Sequence, residues 1–527
     1  MPLPASNTPW PPKEWKPVLQ DMRRWEAWWV GDVAGLWDVH HDAQTQRQRP
    51  SRRGLAGFVE RFFWGRQTAG HPNRPSRGDL HIPMASDLCA TSADLLYGTP
   101  PKISTPSGPT NDQIERYRDD GLFEQLLAGA ETGAALGGRY QRVTWDPTLL
   151  ERPFLSTVDA DSALPEFRWG RMTAVTFWTI VERNGAVVWR HLERHELDPQ
   201  GNGWTFNGLY EGTDDNLGML RPLTEHPSTA PLALVVVEDH VAQGITPGLS
   251  VVYVPNVTPQ RRWRHTTNAK DLGRSDLDGV EPLMDALDET YSSWMRDIRL
   301  GKARVFADRS MLEDRGPGGG ERTFDLDQEI FVPLDGLSGS MQNQLPIQAE
   351  QFAIRVQEHA DTAADLQRRI IRAARYSAAT FGDDVQDTDI TATEVKARQA
   401  ATGSTRDRKI RLEKPALQAL IVKLLRTDQA IFNTPGLNPT DLAVDFPPLV
   451  QQTTEGNAQT IATLKSAGAL SLQVAVEMAH PDWDTTQVEE EVARIQQESP
   501  ITDPDQWRPT PGELNDEDEG VEDAGSE

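Results

Sequence analysis

The sequence predicts a mixed α+β protein, and three observations carry that prediction. Residues 139–255 follow the two-residue period of strands, whereas the chain beyond residue 278 follows the three-and-four period of long amphipathic helices. At 527 residues the chain is also too long for one compact core, which calls for roughly two to four folded units.

The first fifty residues are proline-rich and then tryptophan-rich, with Trp10, Trp15, Trp25, Trp28, Trp29 and Trp37. Trp25, Trp28 and Trp29 share one helical face, so packing of this arm against its own domain or a neighbour is favoured over a ligand role. Arg47, Arg49, Arg52, Arg53, Arg61, Arg66, Arg74 and Arg77 make the next stretch the most basic, and it reads as a solvated loop or subunit contact. Strands are expected at 173–181 and 186–196, on either side of the Asn184-Gly185 hairpin signal. Others are expected at 204–210, 232–237 and 250–254.

A long helix is expected from about Asp278. Asp278 and Glu281 form a capping-box pattern, Pro282 suits the first turn, and Val280, Leu283, Leu287, Tyr291, Trp294 and Ile298 make one apolar stripe. Residues 302–347 read as short strands broken by a glycine-rich run. A second helix is expected over 349–376, with Phe352, Val356, His359, Ala363, Leu366, Ile370 and Ala373 in 4-3 alternation along a rod of about 40 Å. A Gly- and Asp-rich loop, 380–389, leads to a third helix capped by Thr391 and Glu394 and reaching about Phe432, with a kink expected at Pro415. Two shorter helices are expected at 471–480 and 485–498. The centre of the chain thus reads as a stalk of two helices joined by a small β subdomain.

Charge narrows the function. The net charge is −26, and the segment after Pro511 carries Glu513, Asp516, Glu517, Asp518, Glu519, Glu522, Asp523 and Glu527 with no Lys or Arg. A chain this acidic cannot grip DNA by releasing counterions over a basic face, so any nucleic-acid role is one of passage or local contact. No apolar run is long enough for a membrane span and no signal peptide is apparent, so a soluble protein is expected.

Motifs with chemical potential fail on geometry. His191-Leu-Glu193-Arg-His195 falls on a strand, where residues four apart lie about 13 Å from each other and cannot share a metal. The run Gly133 to Arg139 has phosphate-loop glycines without the Lys-Ser/Thr pair, and reads as a helix-to-strand turn. Cys89 is the single cysteine and has no partner that would make it a nucleophile. Arg261-Arg262-Trp263-Arg264-His265 could stack on bases, but a subunit contact is favoured. No enzyme, cofactor or metal site is expected.

Several segments in order carry a family likeness: Gly273-Arg-Ser-Asp276-Leu-Asp278-Gly, Asp288-Glu-Thr-Tyr291-Ser-Ser-Trp294, Ala374-Arg-Tyr376-Ser, Phe381-Gly, and Thr391-Ala-Thr393-Glu394-Val395. Residues 165–179 and 190–196 and the run His480-Pro481-Asp482-Trp483 extend it. The series resembles the portal family of long-tailed double-stranded DNA bacteriophages, and is most similar to portals of phages infecting actinobacteria. The resemblance implies a portal fold, with an N-terminal arm and α+β wing (1–278), stem helices (279–300 and 349–376), and a clip (301–348). It further implies a tunnel loop (377–390), a long kinked wing helix and following segment (391–454) and a helical crown (455–498), whereas the tail (499–527) reads as disordered from its own acidic, polar composition, and neither it nor the Trp-rich arm is a signature of the family.

It also implies roles. Thr380, Phe381, Gly382, Asp383, Asp384, Asp387 and Asp389 would face DNA in the channel. Lys302, Arg304, Arg309 and Arg315 would dock the terminase large subunit and then the head-tail adaptor. Leu287, Tyr291, Trp294, Phe352, Val356, Leu366 and Ile370 would pack the stem. The partners implied are the chain itself in a dodecameric ring, double-stranded DNA in transit, terminase, adaptor, and the major capsid and scaffolding proteins. The place implied is the capsid portal vertex of the virion, after assembly in the host bacterial cytoplasm. A head or baseplate scaffold that never contacts DNA is the alternative.

Overall fold

The structure, a computed structural model, describes residues 3–36, 80–146, 149–234, 240–241, 247–300, 304–307, 347–350, 355–382, 399–449, 454–480, 483 and 485–498. They fall into two compact units, Met1–Leu449 and Val450–Glu527.

The first unit opens with α1 (Lys16–Val30), whose buried residues Val18, Leu19, Met22, Trp25 and Trp28 recur at helical spacing. Burial of these aromatics within their own unit matches the structural reading of the tryptophan arm. Helix α2 (Met84–Tyr97) is followed by β1 (Lys102–Ser104), α3 (Gly108–Asp119) and α4 (Leu122–Leu136). Then come β2 (Gly138–Thr144) and β3 (Phe154–Asp159), which form a three-stranded antiparallel sheet with β10 (Val251–Pro255) in the order β10-β2-β3.

A larger antiparallel sheet runs β4-β5-β6-β7-β8, built from β4 (Ala163–Arg168), β5 (Arg171–Asn184), β6 (Val187–Leu197), β7 (Gly203–Thr213) and β8 (Asn216–Arg221). The short β9 (His240–Val241) also pairs with β7. The expected hairpin is present, but Asn184 pairs with Val187, leaving Gly185 and Ala186 as the turn. Only Gly185 has a positive φ, the pattern of a type II′ turn with glycine at its first central position. The expected strand at 232–237 is corrected in part: Ala230–Leu234 is a 3-10 turn, and residues 235–239 lie outside the described ones. At the β8 edge the N-terminal segment lies alongside. Asn7 N–H donates to Gly218 O (2.6 Å), Leu217 N–H to Thr8 O (2.9 Å) and Trp10 N–H to Asp215 O (2.9 Å).

Helix α5 (Glu281–Leu300) and helix α6 (Val356–Ala373) form an antiparallel-strand-linked pair, with β11 (Arg304–Ala307) bonded to β12 (Ile347–Glu350) between them in sequence. Two expectations are corrected here. The second helix does not begin at 349, because 347–350 is a strand, and its 18 residues span about 27 Å. Its stripe also drifts: Ala363, Ile370, Ile371 and Ala374 are buried, whereas Val356 and Ala373 are exposed. The 3.6-residue helix simply outruns a strict 4-3 repeat. The capping box is half formed. Glu281 Oε2 accepts Gly279 N–H (2.7 Å), but Asp278 is engaged by the Arg262 side chain instead of capping.

Helix α7 (Ala400–Thr427) passes through Pro415 and ends in a π turn, Asp428–Phe432, which sequence periodicity did not suggest. Its start at Thr391 and Glu394 lies outside the described residues. Strand β13 (Ala443–Asp445) pairs back onto β1. Two cores result. One joins α1, α2, the sheets and the roots of α5 and α6; the other joins α2, α3 and α4 to Leu417, Leu420, Ile421, Leu424 and Leu425 of α7.

The second unit contains α8 (Thr454–Ser466), α9 (Leu472–Ala479) and α10 (Thr485–Glu498), one helix more than periodicity suggested. Ser471 caps α9 by accepting Val474 N–H. The acidic tail and the arginine-rich stretch lie outside the described residues.

The glycines at 133–138 are structural. Gly137 has φ +92°, caps α4 with its N–H on Gly133 O (2.9 Å), and would place a Cβ 2.9 Å from Gly273 O. Gly133 sits in ordinary helix geometry with only van der Waals neighbours. Gly137→Ala is therefore expected to cost about 1–3 kcal/mol, while Gly133→Ala is neutral or stabilises by up to about 1 kcal/mol. Denaturant midpoints of the two variants check this contrast, and equal midpoints would refute it.

Candidate functional site: the stem root and the buried charges of the long helix

The root of α5 is fastened to the N-terminal arm by polar contacts. Trp25 Nε1 donates to Glu281 Oε1 (2.9 Å). Arg262 reaches Asp21 (2.9 Å), Asp278 (3.1 Å) and Glu281 (3.4 Å), and its guanidinium lies 5.4 Å from the Trp25 ring centroid. Trp263 is buried and donates to Asp21 Oδ2 (2.8 Å). Trp263 is thus turned into its own chain and Arg262 is held by it, while Arg261, Arg264 and His265 of the same cluster stay exposed. Two turns further along, Ile82 N–H and His81 Nδ1 meet the two oxygens of Asp288 at 2.9 and 2.7 Å. Leu80 N–H donates to Ser292 Oγ (3.0 Å).

Beyond the root, α5 and α6 hold each other. Tyr291, Trp294 and His359 form a continuous stack with centroid separations of 5.9 and 6.0 Å. Asp297 Oδ2 accepts from Arg355 Nη2 (2.9 Å) and pairs with His359 Nε2 (3.1 Å). His359 and then Arg355 hold the Asp297 carboxyl below its ordinary range. Leu287 and Ile370 are fully buried, and Leu366 is half-buried against the same core. Met295, Ile298 and Val356 are 38, 38 and 49% exposed. Phe352 lies outside the described residues.

The expected channel loop is described only at its start. Thr380 Oγ1 bonds Thr402 Oγ1 of α7 (2.7 Å), Phe381 packs edge-on against Tyr376 (6.1 Å), and Gly382 has φ +81°. Thr380 and Phe381 therefore anchor the loop, and Asp383, Asp384, Asp387 and Asp389 lie outside the described residues. Of the expected clip residues, Arg304 lies on β11, while Lys302, Arg309 and Arg315 lie outside the described residues.

Sequence reasoning missed the charges buried along α7. Lys409 Nζ pairs with Asp276 Oδ2 (2.6 Å), both side chains being 3% exposed, and also donates to Tyr376 OH (3.1 Å). Tyr376 OH and Asn256 Nδ2 complete the Asp276 shell at 2.9 Å each. One turn on, Glu413 receives both Nη atoms of Arg139 (2.8 and 2.9 Å) and Tyr97 OH (2.9 Å). At the π turn, Asp428 accepts from Gln113, Tyr117 and Thr434. Burial, and then the facing carboxylate, pushes the Tyr376 and Tyr97 phenols far above their ordinary range, so both act as fixed donors. Lys409 and Glu413 are four apart, a spacing that in sequence looks like an exposed helix pair.

The chemically suggestive motifs are satisfied within the fold. His195 bonds Glu193 (2.7 Å) and Thr205 (3.1 Å), while His191 bonds Asn207 (3.0 Å). Burial raises the Cys89 thiol well above its ordinary range, with Asp276 adding to the effect. Among the described residues no cluster of His, Cys, Asp and Glu could hold a metal, and no helix is long and apolar enough to cross a membrane.

Comparison with known proteins places this architecture. Residues 39–503 match the family described as phage portal protein, SPP1 Gp6-like, and the chain belongs to that family. The family is one of structural virion proteins. No curated protein matches the chain. Two solved structures are similar at 12% identity and a TM-score of 0.37. One is titled "Virion of native gene transfer agent (GTA) particle" (75% of this chain, 88% of that chain). The other is titled "Neck of native GTA particle computed with C12 symmetry" (76% and 89%).

Lys409→Met leaves the Asp276 carboxylate buried without its cation, and is expected to cost about 3–5 kcal/mol. Lys409→Met combined with Asp276→Asn removes both charges and should cost distinctly less. Chemical denaturation of four proteins, the wild type, both single variants and the double, measures the difference; additive losses would mean that the two groups are not coupled.

Proposed function

We propose that this chain is the subunit of a ring, dodecameric in the virion, that forms the DNA channel at one capsid vertex. Family membership over residues 39–503 carries the reading. It is supported by a stem that is well fixed at its root while Met295, Ile298 and Val356 remain open to solvent, an apolar surface that a neighbouring subunit would cover. In this reading the sheets and α7 make the wing, α5 and α6 the stem, and α8 to α10 the crown. The β11–β12 pair is the base of a clip that docks terminase and then the adaptor. The ring would be built into the shell in the host cytoplasm together with capsid and scaffolding proteins. DNA passes because the acidic wall offers few cations to replace counterions on the phosphates.

Light scattering and electron microscopy of the purified chain should show closed rings of several hundred kilodaltons, and a stable 58.7 kDa monomer at every salt concentration would overturn the proposal. Val356→Asp combined with Met295→Asp should leave the subunit folded, since both sites are exposed, yet weaken assembly. Leu287→Asp should prevent folding, because it buries an unpaired carboxylate at a cost of several kcal/mol. Folded, fully assembled rings from the Val356/Met295 variant would place this surface outside the interface.

The channel role of the aspartates rests on their sequence. Replacing Asp383, Asp384 and Asp387 with lysine should preserve assembly but slow packaging by trapping phosphates, with the defect easing as salt rises. Wild-type packaging rates at low salt would remove this loop from the DNA path.

A further inference from the structure

Helices α5 and α6 carry charged ridges on the sides turned away from each other. Leu287 and Trp294 of α5, and His359 and Ile370 of α6, lie on the packed sides. At 3.6 residues per turn, Asp285, Glu289 and Arg296 fall on the far side of α5, and Asp361, Arg368 and Arg372 on the far side of α6. All six are exposed. The two ridges share a spacing and oppose each other in charge. Outward from the root, α5 reads acid, acid and base, with steps of four and seven residues; α6, followed outward from its end, reads base, base and acid with the same steps.

Within one helix the pattern is unfavourable. Asp285 and Glu289 are like charges at i, i+4, and so are Arg368 and Arg372. Glu289, Arg296, Arg368 and Arg372 form no ion pair with any described residue, while the neighbouring Asp365 is taken up by Arg369 (2.6 Å). The helix dipole favours acid at a start and base at an end, but only over the first and last turns, which leaves Glu289, Asp361 and Arg368 unexplained.

We propose that the α5 ridge of one copy of this chain docks on the α6 ridge of the next, pairing Asp285 with Arg372, Glu289 with Arg368 and Arg296 with Asp361. Two copies in one orientation set these helices antiparallel, and the matched spacing lets a single placement serve all three pairs. Trp294 stacks on His359 and Asp297 bonds His359 and Arg355, so within one chain Asp285 stands about one turn farther from the root than Arg372. Helical side chains lean toward their N-terminus, so the α5 ridge leans toward the root and the α6 ridge away from it. The lean closes the offset with both copies at one height, as rotation about a ring axis requires. A second copy fits better than DNA, because a duplex could meet only the arginines of α6 and would leave the acidic α5 ridge unpaired. Copies of net charge −26 repel one another overall, so their contact needs local complementarity of this kind. The inference rests on the ring reading and names the faces that meet in it.

Asp285→Arg/Glu289→Arg and Arg368→Glu/Arg372→Glu each set like charges against like at every contact. The full-length wild type, the two variants and their equal mixture would be assembled at low salt and followed by light scattering and electron microscopy, with far-UV circular dichroism to follow folding. Each variant alone should fold and should need about tenfold or more protein to form rings, with the defect easing as salt rises. The mixture should assemble as readily as wild type, since alternating the two variants opposes every charge. Normal rings from either variant alone, no rescue on mixing, or an unfolded variant would overturn the pairing while leaving the ring reading in place. So would a defect of Arg368→Glu/Arg372→Glu confined to binding a short DNA duplex. A wild type that never forms rings would remove the ring reading and this inference together.

Discussion

Helix α7 carries a lysine and a glutamate one turn apart into the protein interior, and each must find its counter-charge in a distant part of the chain. Lys409 finds Asp276, just before the stem, and Glu413 finds Arg139, at the start of β2. Buried ions gain stability when their remaining lone pairs and protons are met, and here Tyr376 and Asn256 serve Asp276 and Tyr97 serves Glu413, while the buried Arg139 Nε–H has no partner among the described residues. A slip of the helix by one residue would strand both charges, so the two pairs fix its register as well as its position. Strand β2, the root of α5 and the segment that ends α6 are thereby set against one another.

The pair α5 and α6 follows a different rule. Its root is tied by Glu281, Asp288 and Ser292 to segments from the first eighty-two residues, whereas farther along the two helices have each other. The Tyr291–Trp294–His359 stack and the Asp297 bridge keep the pair together without enclosing Met295, Ile298 or Val356. The pair is thus held firmly at the root of α5 and incompletely covered beyond it.

Periodicity made the α+β class, the hairpin beside Asn184, helix α5 and the last two C-terminal helices legible. It misplaced the start of the second stem helix because four residues, 347–350, are too few to betray a strand when an apolar stripe continues past them. It could not show that Lys409 and Glu413 point inward, since their spacing is that of a solvated pair. The inward turn of Arg262 and Trp263 was equally hidden, because Asp21 lies 241 and 242 residues away from them. Thr380 and Phe381 were singled out as channel residues and the structure gives them packing partners at the loop's foot.

The N-terminal segment along β8 bears on the order in which the molecule can be finished. An open sheet edge invites pairing with any other extended chain, and Asn7, Thr8 and Trp10 close this one. Yet their partners lie more than two hundred residues later, so this segment has nowhere to go until the sheet exists. During synthesis that edge stays open for capture by a neighbouring nascent chain. An N-terminal fusion that delays or blocks the closing strand would therefore be felt as aggregation during expression, in a protein whose finished fold is sound.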